Sequence, residues 1–123
     1  MHELSIAQSI IATVEQEMAS RHYPAVAEVG VRVGALSGVL PDALAFSFEA
    51  IVAGTPLGAC RLAIEHVPAQ ARCQACSHAF EVADFFFCCP KCESVQVAVT
   101  HGYELDIAYL EVEDQEEAVA VTP

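Results

Sequence analysis

Two groups of residues in this sequence have the types and spacing to do chemistry. The first is the pair Cys73-Gln74-Ala75-Cys76 and Cys89-Pro90-Lys91-Cys92, two C-x2-C motifs with twelve residues between them. Each motif turns tightly enough to aim both sulfurs at one point. Four thiolates then satisfy the tetrahedral preference of Zn²⁺, with Zn–S distances of about 2.3 Å. All four positions come from the protein, so the site is closed, and a closed site is structural rather than catalytic. A disulfide framework needs an oxidising compartment, and the first residues carry none of the basic-then-apolar pattern of a signal peptide. Cys88 adjoins Cys89 and competes for the fourth ligand position, but Cys89-x2-Cys92 closes the usual knuckle and Cys88-x3-Cys92 does not. With four better-spaced thiols, His78 is redundant as a ligand. Cys60 reads as a small buried apolar residue.

The second group is Met1-His2-Glu3. Aminopeptidases remove an initiator methionine efficiently only ahead of a small residue, so His2 is expected to leave Met1 in place. The α-amine, the His2 amide nitrogen and the His2 imidazole then belong to one chelating unit, and the Glu3 backbone nitrogen or another side chain completes four ligands. Nitrogen donors in a plane suit Ni²⁺ or Cu²⁺ and serve Zn²⁺ poorly. Binding releases protons, so affinity falls as the pH drops through the range where amine and imidazole protonate. The remaining histidines have plainer readings, His22 near a helix C-terminus, His66 on a strand and His101 before Gly102. No Ser/His/Asp arrangement, phosphate-cradling glycine loop or open zinc site can be assembled, and no catalytic activity is expected.

Periodicity supplies the elements that must position these groups. Leu4, Ala7, Ile10, Ile11, Val14 and Met18 recur at intervals of three and four, which predicts an amphipathic helix from Leu4 to about Ser20. Ser5 is a candidate cap, and Pro24 stops the helix. Glu28–Val33 alternates as a strand. After the turn-rich Gly34–Pro41, a second helix is predicted over 42–53 with Leu44, Phe48, Ile51 and Val52 inward and Gly54 at its end. Arg61–Val67 and Tyr103–Tyr109 alternate as further strands. Between them lies the cysteine-rich segment, where His78–Val82 and Val95–Val99 are expected to pair as a ribbon. About 30 residues bury too little apolar surface to fold alone, so the metal would supply the missing stability.

The composition sets limits on partners. Seventeen acidic residues face five lysines and arginines, for a formal net charge of −12. Nucleic-acid backbones are repelled by such a chain. No apolar run approaches the roughly 20 residues of a membrane span, and a cytoplasmic protein is expected. Part of the charge lies in Glu111, Glu113, Asp114, Glu116 and Glu117, and residues 114–123 are expected to form a disordered acidic tail.

Taken together, MHELS, VGALSGV, PDALAFSFE, PAQARCQAC, CPKC and GYELDIAYLEVE resemble the HypA/HybF family of hydrogenase-maturation nickel chaperones over residues 1 to about 113. The resemblance implies an α+β protein with two helices packed on a three-stranded sheet and a small zinc-ribbon-like domain inserted before the last strand. Residues 1–68 with 101–113 would form the nickel-binding unit, and residues 69–100 the zinc-binding unit. Met1, His2 and Glu3 match the family's nickel site, and Cys73, Cys76, Cys89 and Cys92 match its structural zinc ligands. Zn²⁺ is then a resident ion and Ni²⁺ transferred cargo. The partners implied are the maturation GTPase HypB and the large subunit of [NiFe]-hydrogenase, with urease maturation factors served by some members. The doubled Cys88-Cys89 is the one local departure from the pattern. The competing reading is a zinc-ribbon protein-interaction adaptor that binds no nickel.

Overall fold

The computed structural model describes residues 2–112, so Met1 and the expected acidic tail at 114–123 lie outside the described residues. Helix α1 spans Glu3–Arg21, strand β1 Val26–Gly34, helix α2 Pro41–Val52 and strand β2 Arg61–Val67. Three short strands follow, β3 at Gln70–Cys73, β4 at Ala79–Glu81 and β5 at Val97–His101, before β6 at Leu105–Val112. They form two three-stranded sheets, ordered β2-β1-β6 and β4-β3-β5.

In the first sheet β1 is central, parallel to β2 and antiparallel to β6. The parallel pairing follows from the α2 crossover, which carries the chain from the end of β1 back to the side of the sheet where β1 began. Val26, Val29, Val31 and Val33 of β1 are buried against Ala7, Ile10, Ile11 and Val14 of α1 and Leu44, Phe48 and Val52 of α2. Gly30 faces the other way, where a Cβ would fall 2.1 Å from the Tyr109 ring. That ring lies across β1, and its hydroxyl donates to Glu28 at 2.5 Å.

The observed elements differ from the expected ones in instructive places. Leu4 is 55% exposed, and the buried position in the first turn of α1 is Glu3. The inward stripe therefore runs Glu3, Ala7, Ile10, Val14, with a carboxylate at its head. Ser5 is not the cap. It sits one turn inside, with its hydroxyl donating to the His2 carbonyl at 3.2 Å, and His2 holds the N-cap position without a side-chain cap bond. The helix ends before Pro24 is needed, because His22 turns left-handed (φ 60°) and directs its N–H to the Met18 carbonyl.

His78–Val82 and Val95–Val99 do not pair with each other. Both flank β3, a strand that the sequence periodicity does not predict: Ala71 pairs with Phe80 on one side and Val99 on the other. Gln70-Ala71-Arg72-Cys73 is too short to show a period by sequence alone. The last strand starts two residues later than expected, since Tyr103 and Glu104 belong to a turn in which the Gly102 N–H donates to Glu104 Oε1 at 2.7 Å.

The second sheet has its own small core of Ala69, Ala71 and Val82, which Phe80, Phe87, Val97 and Val99 flank and Leu36 completes from the connector after β1. That connector stitches the two sheets together. Gly34 N–H donates to Glu104 O at 2.7 Å, Ala35 N–H to Val67 O at 2.9 Å and Leu36 N–H to Gly102 O at 2.7 Å. A Cβ on Gly34 would lie 2.0 Å from the Gly102 carbonyl oxygen, so this crossing requires glycine.

Candidate metal centres

The cysteine centre is built from one local structure used twice. In the first copy the Cys73 N–H donates to His78 O at 2.8 Å and the Ser77 N–H returns to Cys73 O at 2.9 Å. In the second, the Cys89 N–H donates to Ser94 O at 2.9 Å and the Glu93 N–H returns to Cys89 O at 2.8 Å. Ser77 and Glu93 close the turns in the left-handed region, at φ 67° and 66°. Each turn also aims two amides at its leading sulfur. Ala75 and Cys76 N–H groups lie 3.3 and 3.5 Å from Cys73 Sγ, and Lys91 and Cys92 N–H groups 3.4 and 3.5 Å from Cys89 Sγ. Amide hydrogens pointed at sulfur stabilise thiolate, the form that ligates a metal.

The two turns meet face to face. The Sγ atoms of Cys73, Cys76, Cys89 and Cys92 all lie within 4.8 Å of one another, with Cys73–Cys92 at 3.5 Å and Cys76–Cys89 at 3.7 Å. A tetrahedron with metal–sulfur bonds of about 2.3 Å has edges of about 3.8 Å, so the cluster fits a four-thiolate zinc site. Cys88 is outside it, its sulfur directed at the Cys89 carbonyl. His78 stacks on Phe80 instead. Cys60 is buried in the core of the first sheet, where burial pushes its thiol up.

The hydrogen bonds within the cluster act on its thiols in opposite directions. The Cys76 N–H, opposed by burial and reinforced by the Ala75 N–H, draws the Cys73 thiol down to about 6. Cys92 goes the other way, up to about 12: the Ser94 N–H favours its thiolate, but the hydrogen bond with Cys73 holds the proton in place. Four sulfurs this close cannot all ionise unless a positive charge joins them. Metal binding must therefore expel protons from the cluster.

The N-terminal residues are organised differently. The exposed His2 begins α1, and its carbonyl accepts the Ile6 N–H at 2.9 Å, the first bond of the helical ladder. Its amide precedes that ladder, because a helix has no carbonyl of its own for the first N–H groups. Glu3 turns inward. Its carboxylate accepts the Leu40 N–H at 2.9 Å, a bond that holds the carboxyl down at about 2. Leu40 is the N-cap of α2, so Glu3 of α1 satisfies a donor that α2 itself cannot. The structure thus brings the four cysteines together and places His2 in solvent, while the Glu3 carboxylate faces the protein interior. Periodicity held the clue to Glu3, since the intervals 3, 7, 10, 14 fit a helical stripe better than a start at Leu4. The role of Leu40 left no sequence signal.

Comparison with known proteins agrees with this architecture. The family model described as hydrogenase/urease nickel incorporation, metallochaperone, HypA matches residues 1–112. The hydrogenase maturation factor HypA of Roseiflexus sp. (strain RS-1) is 42% identical over 115 residues, covering 93% of this chain and 94% of the relative. That of Geobacter metallireducens is 42% identical over 113 residues, covering 92% of this chain and 100% of the relative. Among solved structures, the Ni metallochaperone HypA from Helicobacter pylori aligns with a TM-score of 0.63 at 27% identity, over 91% of this chain and 97% of that one. The α+β fold with its four-cysteine insert and the match over nearly the full length place this chain in the HypA family of nickel metallochaperones for hydrogenase maturation.

Proposed function

We propose that this chain binds Ni²⁺ at its N-terminus and delivers it for maturation of [NiFe]-hydrogenase, and that it carries a structural Zn²⁺ on Cys73, Cys76, Cys89 and Cys92. The nickel ligands are the Met1 amine, the backbone nitrogens of His2 and Glu3, and the His2 imidazole. The observation that carries the reading is the match to a nickel-incorporation family that begins at residue 1, where the chain reads Met-His-Glu. The exposure of His2 supports it, since a donor of cargo must be reachable by the acceptor. Glu3 serves through its backbone nitrogen, while its carboxylate pins the first helical turn to the start of α2.

The two ions have different tasks. Zinc is held by four thiolates with no open position, which supplies folding energy and no Lewis-acid chemistry. Nickel in a plane of nitrogen donors at a chain end can be exchanged, which a transfer protein needs. Residues 1–68 with 101–113 form the nickel unit, 69–100 the zinc unit and 114–123 an acidic tail. The partners are the GTPase HypB, the hydrogenase large subunit and, in organisms that make urease, its maturation factors. The site of action is the cytoplasm, and no reaction of its own is assigned to the chain.

Metal analysis tests the reading. Wild type should bind one Ni²⁺ and one Zn²⁺ per chain, His2→Ala should lose nickel and keep zinc, and Cys89→Ser should lose zinc. Nickel retained by His2→Ala overturns the N-terminal site. An adaptor without nickel binding predicts no nickel in wild type at all.

A further inference from the structure

Between the two cysteine turns the chain makes a third turn that contributes no metal ligand. Asp84 and Phe85 are consecutive left-handed residues, at φ 53° and 60°. Asparagine, aspartate and glycine tolerate that region, but a bulky side chain does so at a cost. The turn is closed by the Phe86 N–H donating to Ala83 O at 2.9 Å. Its effect is to split three successive phenylalanines. Phe87 packs against the second core, whereas Phe85 and Phe86 are 61% and 68% exposed. Phe85 is steadied from below by an edge-on contact with Phe87, with ring centroids 6.3 Å apart.

Beside Phe86 the surface opens into a groove of about 550 Å³ lined by Phe80, Ala83, Phe86 and Pro90, with Cys88, Cys89 and the carboxylates Glu81 and Glu93 also on its walls. An aromatic pair held out by strained backbone, next to an apolar groove, is the anatomy of an interface anchor. The charges select the occupant. Glu81, Asp84 and Glu93 surround the patch, on a chain whose net charge is −12. Two copies brought together here would oppose those carboxylates, and an anionic membrane would be repelled by them.

We infer that the Ala83–Phe87 turn is a protein-docking surface that inserts Phe85 and Phe86 into an apolar pocket rimmed by lysine or arginine on a partner protein. The inference rests on the proposed function only for the choice of probes, which are purified HypB and purified hydrogenase large subunit from the same organism.

The test is titration of each probe with the zinc-loaded full chain. Phe85→Ser/Phe86→Ser should weaken binding to one probe by about thirtyfold or more. Phe86→Ser alone, which leaves the Phe85–Phe87 contact in place, should account for much of that loss. Phe46→Ser, at an exposed phenylalanine on α2, should change binding less than about twofold. Glu81→Gln/Glu93→Gln should slow association and flatten its salt dependence. Zinc content and circular dichroism verify that each variant is folded. Equal affinity of the double variant and wild type for both probes overturns the inference, as does wild type binding neither probe. Self-association or binding to anionic vesicles that the double variant abolishes also overturns it, in favour of that occupant. Nickel binding by His2→Ala is read separately, so a failure of the nickel assignment leaves the docking result interpretable.

Discussion

The unit around the first sheet and the cysteine insert solve the same problem by different physics. Around the first sheet, two helices and a central strand bury Phe48, Leu44 and a run of valines, so apolar burial alone can hold the unit together. The insert has a buried core of Leu36, Ala69, Ala71 and Val82, and one of those four is borrowed from the connector. Its leading cysteines are as deeply buried as that core, with Cys73 at 1% and Cys89 at 0% exposed. The insert is organised around its four clustered cysteine sulfurs. The contrast extends to the two candidate metal groups, since the cysteines lie inside closed turns and His2 at an exposed helix start. On the proposed reading, the site that keeps its ion is the one buried among its own amides, and the site that releases it is the one at the exposed edge.

Variants that act on one unit and spare the other test this contrast, and the largest effect should come from zinc. Cys89→Ser, or removal of the ion by a strong chelator, should disorder the insert completely while α1, α2 and the first sheet persist, as read by amide hydrogen exchange. Simultaneous loss of protection in both units would show that the first does not stand alone. The converse variant is Phe48→Ala, which should lower global stability by about 3–5 kcal/mol through loss of a fully buried ring, with zinc content unchanged. Denaturant unfolding beside zinc analysis separates the two.

Gly34→Ala addresses the seam between the units. Its Cβ would meet the Gly102 carbonyl, and the strain should cost about 1–3 kcal/mol and loosen protection at the Ala35 and Leu36 amides together. If only one of these sites responds, the connector does not couple the sheets. The smallest effect should come from Glu3→Gln, which keeps an acceptor for Leu40 but removes its charge. Because the folded carboxyl titrates at about 2, below its unfolded value, its contribution is present above about pH 4.3 and is lost as the pH falls toward the folded value. Wild type and Glu3→Gln should therefore differ in melting temperature at neutral pH and converge toward pH 2. An undiminished gap at low pH would contradict the assigned bond.

Much of this was legible in the sequence, for identifiable reasons. Helix α2 is clear because Pro41 and Gly54 bracket a clean apolar stripe, and β2 because Leu62 and Ile64 recur two residues apart within Arg61–Val67. The two C-x2-C motifs signalled the cysteine cluster because ligand spacing is local geometry. What sequence left hidden is long-range. The partner of the Glu3 carboxylate is the Leu40 amide, 37 residues away. Gln70–Cys73 is a strand because Phe80 and Val99 arrive on either side of it. The left-handed turns at Ser77, Glu93 and Phe85 carry no glycine to announce them, so their geometry emerges only from the fold.

The central claim is that the chain end itself is a nickel ligand, so the position of His2 matters as much as its identity. Adding two residues ahead of Met1 keeps every original side chain and moves the α-amine away from the imidazole. Calorimetric titration of that extended protein with Ni²⁺ should show the N-terminal site lost while zinc remains at one ion per chain. Nickel binding as tight as in the unextended protein would contradict the account.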